Sequence, residues 1–128
     1  MNLLLDTHSF LWFISGSDRL SQAGRSLIED ESNVVYLSTA SLWEIAIKTG
    51  LGKLTLSEPF ATLIPEQLGL NKIELLNISV DHASRVVSLP LHHRDPFDRM
   101  LAAQALTEEI PVLSNDQLLD VYGVKRVW

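Results

Sequence analysis

The sequence predicts an α/β domain, a three-layer α/β/α sandwich built on a mainly parallel central sheet. Short apolar segments alternate with longer helix-forming segments along the chain, which is the pattern of βαβ units. The apolar segments are continuous, as in "LLL" at 3–5 and "VVYL" at 34–37, and strands of this kind are buried on both faces. Right-handed crossovers between them then place helices on both sides of the sheet.

Five strands are expected, each from a short run of apolar or β-branched residues. The first run ends at Asp6, and the fourth begins at Pro111 and is followed by a polar "SND". The predicted strands are residues 3–5, 34–37, 73–78, 111–113 and 124–128.

Seven helices are expected between and after these strands. Ser21 is placed to cap the second helix, and Pro96 falls in the first turn of the sixth, where proline is tolerated. Glycines end the first helix near Gly16, the third at Gly50 and the last at Gly123. The predicted helices are residues 7–14, 20–31, 38–50, 59–68, 79–89, 95–109 and 115–123.

Composition fits one globular domain over residues 1–128, with 46% hydrophobic and 20% charged residues. The chain has no cysteine, which excludes thiolate catalysis and disulfides. We expect no signal peptide and no membrane span, because the N-terminus lacks a basic region and the longest apolar stretch is residues 10–14. A cytoplasmic location is therefore expected. The net charge of −6 argues mildly against a plain nucleic-acid binder, unless a cation bridges carboxylates to phosphates.

Five carboxylates from four segments are expected at one edge of the sheet. Asp6 and Asp116 follow the carboxyl ends of the first and fourth strands, and Glu44 lies in the helix that leaves the second strand. Asp95 and Asp98 share the first turn of the sixth helix, at a spacing that makes them neighbours. Ligands bind at this edge in such sheets. Hard divalent cations such as Mg²⁺ take oxygen ligands of this type.

Each acid also has a purely structural explanation. Helix capping would explain three of them, Asp6, Asp95 and Asp116. A carboxylate in a first turn suits the helix dipole, which would explain Asp98. Glu44 has Lys48 at i+4 and would form an exposed ion pair. Their joint placement at one edge favours a site.

Four ordered motifs resemble PIN-domain ribonucleases, and more narrowly the VapC-like toxins of type II toxin–antitoxin modules. They are "LLLDTHSFLW", "STASLWEIAIKTGLGKL", "HHRDPFDRMLAAQAL" and "IPVLSND", and the likeness continues through the closing "YGVKRVW". The resemblance implies that Asp6, Glu44, Asp98 and Asp116 are the catalytic, metal-holding acids. It gives Asp95 a supporting role, with metal ligation as an alternative.

The same resemblance implies a Mg²⁺-dependent endoribonuclease, with Mn²⁺ as an alternative cofactor. Its RNA products would carry 5′-phosphate and 3′-hydroxyl ends, and an antitoxin protein would silence it. A homodimer is expected. A receiver or phosphatase is disfavoured because Thr7 and His8 follow Asp6 where a D-x-D pattern is needed. A non-catalytic RNA-binding PIN domain would have lost acids, and a housekeeping RNA-processing nuclease remains an alternative.

Several polar residues near these acids are candidates for supporting roles. Thr7 and Ser38 follow strand ends and would orient a ligand or cap a helix, and Asn115 would hold Asp116, contact substrate or form a turn. Arg99 would grip phosphate or pair with an acid, and the same alternatives hold for Arg94. His92 and His93 would bind phosphate or, as expected, lie in a solvated loop. Lys48 and Lys53 would face RNA or solvent.

The first and third helices carry more apolar residues than one packed face needs. Some of these must belong to the core, and any that stay exposed would form a patch of the kind that marks a partner site. The expected partner surface comprises Phe10, Trp12, Phe13 and Trp43.

Overall fold

The computed structural model describes residues 1–128 and confirms the α/β/α class. All strand pairs are parallel, and the five strands form one sheet. The strands are β1 (Asn2–Leu5), β2 (Val34–Ser38), β3 (Ile73–Leu76), β4 (Val112–Leu113) and β5 (Arg126–Val127). The helices are α1 (Thr7–Ser15), α2 (Gln22–Glu29), α3 (Thr39–Gly50), α4 (Phe60–Leu70), α5 (Val80–Ser88) and α6 (Pro96–Glu108), followed by a 3₁₀ helix (Gln117–Tyr122).

The strand order β3-β2-β1-β4-β5 places β1 in the middle of the sheet. Leu5, at the end of β1, pairs with Leu37 of β2 on one side and with Leu113 of β4 on the other. Because the strands are parallel, the segments that leave β1, β2 and β4 emerge at the same edge. These are the segments that lead to Asp6, α3 and Asp116.

The sheet separates two apolar layers, as its continuous apolar strands predict. Leu3 and Leu5 pack into a cluster with Phe10 and Ile45 of α1 and α3. Leu4 points to the other side, into a cluster with residues of α6 and the 3₁₀ helix. All three leucines of β1 are fully buried, which explains why this strand lacks the polar alternation of a half-exposed strand.

The helix boundaries follow the predicted capping residues. Ser21 accepts a hydrogen bond from the Gly24 backbone N–H at 2.9 Å and caps α2. Gly16 ends α1 in a left-handed conformation with φ of 67°, which glycine adopts at little cost. The helix assigned to 115–123 is a 3₁₀ turn ended by Gly123.

Three predicted strands are shorter than expected, although β4 lacks only Pro111. β3 ends at Leu76 because the Ile78 N–H donates to Thr39 Oγ1 at 3.3 Å instead of to a neighbouring strand. β5 is confined to Arg126 and Val127, which pair with the two residues of β4. None of the helices has both the length and the apolar character needed to cross a lipid bilayer.

Candidate active site

Asp6 is buried at the point where β1 becomes α1. Its backbone N–H donates to Leu113 O at 3.2 Å, which joins it to the end of β4. Its side chain caps α1, because Oδ1 accepts a hydrogen bond of 2.7 Å from the Ser9 N–H. The capping alternative is therefore confirmed, and it engages only one carboxylate oxygen. Oδ2 accepts no hydrogen bond from the protein and is free to face a cation.

Glu44 is buried within α3, although its neighbours in sequence suggested an exposed ion pair. Its Oε1 accepts a hydrogen bond of 2.6 Å from Thr7 Oγ1, and its Oε2 pairs with Lys48. Thr7 Oγ1 also lies 2.9 Å from Ser41 Oγ. A hydroxyl has a single hydrogen, so Thr7 gives it to the carboxylate and the Ser41 hydroxyl donates to Thr7. The hydrogen bond to Glu44 raises the pKa of Lys48.

Asp95 and Asp98 both occupy the start of α6, but Asp95 caps the helix and Asp98 has a raised pKa. Asp95 is the N-cap, with Oδ1 accepting from the Phe97 N–H at 2.8 Å and the Asp98 N–H at 3.4 Å. Burial raises the pKa of Asp98 from its ordinary value of 3.8 to about 7. The negative charges of Asp95, Glu44 and Asp116 act in the same direction, and His93 opposes them. Like charges held close together disfavour ionisation, so the acids are crowded.

Asp116 caps the 3₁₀ helix and contacts His93. Its Oδ1 accepts a hydrogen bond of 3.0 Å from the Leu118 N–H. Its Oδ2 lies 3.0 Å from His93 Nε2, and the same nitrogen lies 3.2 Å from Asp98 Oδ2. These three side chains each offer a ligand atom within 4.8 Å of the others, which makes them a potential metal-binding group.

The structure therefore brings the predicted acids to one sheet edge, with differing closeness. Asp98 and Asp116 each contact the same nitrogen of His93, Nε2. Glu44 is close enough to affect the pKa of Asp98. Asp6 reaches the same edge through its neighbour Thr7, which binds Glu44, and through its backbone bond to β4.

Sequence reasoning missed the position of His93, which was expected in a solvated loop. The side chain is 14% exposed, and its backbone N–H donates to the Tyr122 hydroxyl at 2.7 Å. Tyr122 was not singled out either, and no local pattern marks it. Its hydroxyl contacts His93 across 29 positions of the chain, and such a contact has no periodic signature.

Arg99 forms no ion pair with an acid, and its predicted contact with phosphate stays a prediction. Its guanidinium donates to backbone carbonyls of Pro90, Leu89 and Val86 at 2.9, 3.3 and 3.4 Å. These bonds engage both terminal nitrogens, so Arg99 fastens the end of α5 and the segment that follows it. Arg94, by contrast, is exposed and forms no ion pair or side-chain hydrogen bond, so its guanidinium remains available.

The other residues predicted to support the site differ in their contacts and exposure. Thr7 binds Glu44 rather than capping a helix. Ser38 is fully buried and caps α3 by accepting from the Ala40 N–H at 3.0 Å. Asn115 is exposed next to Asp116 and makes no side-chain hydrogen bond. Lys53 is exposed.

One of the four residues predicted for the partner surface is buried in the core. Phe10 is fully buried in the core beside Leu3 and Leu5, so its assignment to a partner surface is wrong. Its side chain lies on the face of α1 that packs on the sheet. Trp12 and Phe13 are partly buried against that core. Trp43 is 64% exposed and contacts Phe97 edge to face at a centroid distance of 5.6 Å.

The parallel sheet with acids grouped at its carboxyl edge is the architecture of a PIN domain. The sequence profile of the PIN domain family matches residues 3–125, and the chain belongs to this family. It is 42% identical over 59 residues to Ribonuclease VapC16 of Mycobacterium tuberculosis. That alignment covers 46% of this chain and 40% of the relative, so it spans less than half of either protein.

Two solved structures share the fold over nearly the whole chain. VapBC2 from Rickettsia felis, solved with a DNA fragment from its promoter, matches with a TM-score of 0.75 and 16% identity, covering 99% of this chain and 98% of the other. FitAcB from Neisseria gonorrhoeae matches with a TM-score of 0.66 and 17% identity, covering 98% and 96%. At these identities the likeness concerns the fold.

The donor set fits a hard divalent cation. The four acids offer only oxygen ligands, as Mg²⁺ and Mn²⁺ prefer. Burial raises the pKa of Asp98, and the negative charges of the neighbouring carboxylates add to this effect. Lys48 and His93 each contact part of the cluster. A bound cation would offset the remaining repulsion.

Proposed function

We propose that this PIN domain is a divalent-metal-dependent endoribonuclease that acts as the toxin of a type II toxin–antitoxin pair. The observation that carries the proposal is the grouping of acids at one sheet edge, where Asp98 Oδ2 and Asp116 Oδ2 lie 3.2 and 3.0 Å from the same His93 nitrogen. Asp95 and Glu44 are close enough to raise the pKa of Asp98 further. A fold gains no stability from such crowding, so a cation-dependent role is its natural explanation. The ribonuclease name of the relative that is 42% identical over 59 residues supports the same proposal, as do the folds of the VapBC2 and FitAcB structures.

In this proposal Asp6, Glu44, Asp98 and Asp116 hold Mg²⁺ or Mn²⁺, with Asp95 assisting. When bound, such a cation supplies a more acidic water and charge stabilisation at a phosphodiester. The protein contributes the positions of the oxygens. Capping fixes Asp6 and Asp116, and Thr7 fixes Glu44.

Substrate binding would depend on the few basic groups at this edge, because the chain carries a net charge of −6. Arg94 is exposed, follows His93 in the loop that reaches the acids, and has no competing partner. We assign it to the RNA phosphates that flank the cleaved bond. Asn115, exposed beside Asp116, is placed to contact the same strand.

The direct test is cleavage of a structured RNA by purified protein, with mapping of the product ends. Wild type should cleave with Mg²⁺ or Mn²⁺, stop in EDTA and leave 5′-phosphate ends. Asp6→Asn should be inactive although its helix cap is retained, because asparagine caps about as well as aspartate. Full activity in Asp6→Asn or in EDTA would contradict the proposal. Growth arrest on expression of wild type alone would separate a toxin from a housekeeping nuclease.

The proposed partners are an antitoxin and a second copy of this chain. A groove of about 650 Å³ lies between α1 and residues 54–57, and it is lined mainly by apolar side chains that include Leu11, Trp12 and Leu56. We assign the antitoxin to this groove and the second copy to the exposed face around Trp43. Both assemblies would form in the cytoplasm.

The two surfaces can be separated by mutation. Trp43→Glu should convert a dimer to a monomer in light scattering and leave co-purification with the neighbouring gene product intact. Trp12→Glu should leave the dimer intact and abolish co-purification with the neighbouring gene product. A wild-type monomer at tens of micromolar would contradict the dimer, because even a weak interface of about 7 kcal/mol begins to form at that concentration.

A further inference from the structure

The environment of the His93 ring is defined on both of its nitrogens. Nε2 faces Asp98 Oδ2 at 3.2 Å and Asp116 Oδ2 at 3.0 Å. Nδ1 accepts a hydrogen bond of 3.2 Å from the Asp95 backbone N–H. A backbone amide can only donate, so Nδ1 carries no hydrogen in this arrangement. The hydrogen of the neutral ring is then on Nε2, and it points at the two carboxylates.

This tautomer decides between two roles for a histidine among metal-holding acids. A histidine that binds a metal through Nε2 must carry its hydrogen on Nδ1, where it usually donates to an acceptor. Here the group opposite Nδ1 is the Asp95 N–H, which would meet that hydrogen head on. His93, Asp98 and Asp116 lie within metal-binding distance of one another, but the hydrogen-bond pattern makes His93 a donor to the acids and not their fellow ligand.

The backbone that carries the His93 ring is also held in place by hydrogen bonds. The His93 N–H donates to the Tyr122 hydroxyl at 2.7 Å, and Arg99 fastens the preceding residues by its bonds to Pro90 and Leu89. With the backbone fixed, the contacts of Nε2 with the acids depend on the side-chain rotamer, and a rotation about the Cα–Cβ bond would move Nε2 away from them. Its Oδ2 partners on Asp98 and Asp116 would then be exposed to a cation.

We propose that His93 is an internal competitor of the divalent cation, occupying the oxygens of Asp98 and Asp116 in the metal-free protein and raising the cation concentration needed to fill the site. The inference rests on the proposed metal dependence. It assigns to His93 a regulatory role that neither a metal ligand nor a solvated loop residue would have. While the Nε2–H points at Asp98 Oδ2 and Asp116 Oδ2, it would compete with a cation for these oxygens.

The test is the affinity of purified protein for Mn²⁺, measured by isothermal titration calorimetry. His93→Ala should bind Mn²⁺ about tenfold more tightly than wild type, the factor that corresponds to about 1.4 kcal/mol and to the lower end of the range for hydrogen bonds to charged groups. The matched control is His92→Ala, because His92 is the exposed neighbour, lies 5.5 Å from the Tyr122 ring centroid and makes no side-chain contact with the acids. Its affinity should equal that of wild type.

The outcomes separate this inference from the proposed function. Weaker Mn²⁺ binding by His93→Ala would make His93 a ligand and overturn the inference, and unchanged binding would overturn it as well. In both cases the metal-dependent nuclease proposal would stand. No Mn²⁺ binding by wild type would overturn both proposals.

A second measurement uses wild type and does not depend on a folded variant. Imidazole ¹⁵N spectra should show His93 as the Nε2–H tautomer without metal, and saturating diamagnetic Mg²⁺ should shift its Nε2 resonance because the Nε2–H loses its carboxylate partners. A change to the Nδ1–H tautomer on adding Mg²⁺ would be the signature of ligation and would overturn the inference. His92 provides the internal reference and should not change.

Discussion

At the scale of single residues, the acids at this sheet edge combine helix capping with the cation binding that we propose for them. Asp6, Asp95 and Asp116 each use one oxygen to cap a helix, and the first-turn position of Asp98 places it beside them. Capping lowers the conformational freedom of a carboxylate, so the same bond that stabilises the helix aims the second oxygen. The structural and the functional explanations of these acids are therefore compatible.

The raised pKa of Asp98 leads to a pH-dependent prediction. Asp98→Asn should raise the melting temperature in metal-free buffer at pH 8 and change it little at pH 4. The carboxyl binds its proton more tightly in the folded chain, with a pKa of about 7 against 3.8. The free energy of unfolding of wild type therefore falls as pH rises between these values and stays lowered above them.

Thermal melts of both proteins in EDTA, from pH 4 to pH 8, check this prediction. The melting-temperature difference should grow up to about pH 7, the pKa of Asp98, and then level off. Asp120→Asn is a control for a general loss of negative charge, since Asp120 is exposed and pairs with Arg126 outside the acid cluster. A constant difference at every pH would mean that the pKa of Asp98 is not raised in the folded chain.

At the scale of elements, the connection between α5 and α6 determines what the acids meet. Arg99 donates to carbonyls of this connection and Tyr122 accepts from His93, so both residues hold it against α6 and the 3₁₀ helix. The connection carries His93 to the acids and leaves Arg94 exposed beside them. Its ordering is thus a condition for the geometry of the site.

Arg99→Met should loosen this connection. Methionine keeps the apolar stem but removes all three carbonyl bonds, so the protein should lose about 2 kcal/mol of unfolding free energy, within the range for bonds to a charged group. Hydrogen exchange of the amides between residues 90 and 95 should become faster. Arg94→Met, at an exposed position without partners, should leave both quantities unchanged and weaken RNA binding instead. Weaker RNA binding by Arg99→Met, with RNA binding by Arg94→Met unchanged, would instead assign the phosphate contact to Arg99.

At the scale of the whole molecule, the parallel sheet collects charge at one edge. β1, β2 and β4 deliver Asp6, Glu44 and Asp116 there from positions 6, 44 and 116 of the chain, and α6 adds Asp98. The cost of this repulsion is borne by the folded state alone. A cation that binds only the folded state should therefore stabilise the entire domain.

Millimolar Mg²⁺ or Mn²⁺ should raise the melting temperature of wild type at neutral pH. At about 100 times the dissociation constant, binding adds roughly 2.7 kcal/mol to the free energy of unfolding. Asp6→Asn should melt higher than wild type in EDTA, because it removes one like charge, and should respond little to metal. An equal metal response in Asp6→Asn and wild type would reduce Asp6 to a helix cap.

The local parts of this structure were readable from the sequence. Continuous apolar runs predicted the buried parallel strands, and the alternation with helices predicted the layers. Ser21, Asp95 and Gly16 marked helix ends because capping depends on residues a few positions apart. The convergence of Asp98 and Asp116 followed from the rule that parallel strands end at one edge, and the resemblance to PIN domains pointed to the same residues.

What the sequence by itself determined is therefore the fold class, the family and the acids at the sheet edge. Only the tertiary structure decided that Phe10 is core, that Arg99 holds a backbone segment, and that His93 lies between Asp98 and Asp116. The physical reason is the range of the interactions involved. Strands, helices and caps arise from neighbouring residues, whereas the His93 contact with Asp116 spans 23 positions and exists only after α6 and β4 have packed against each other.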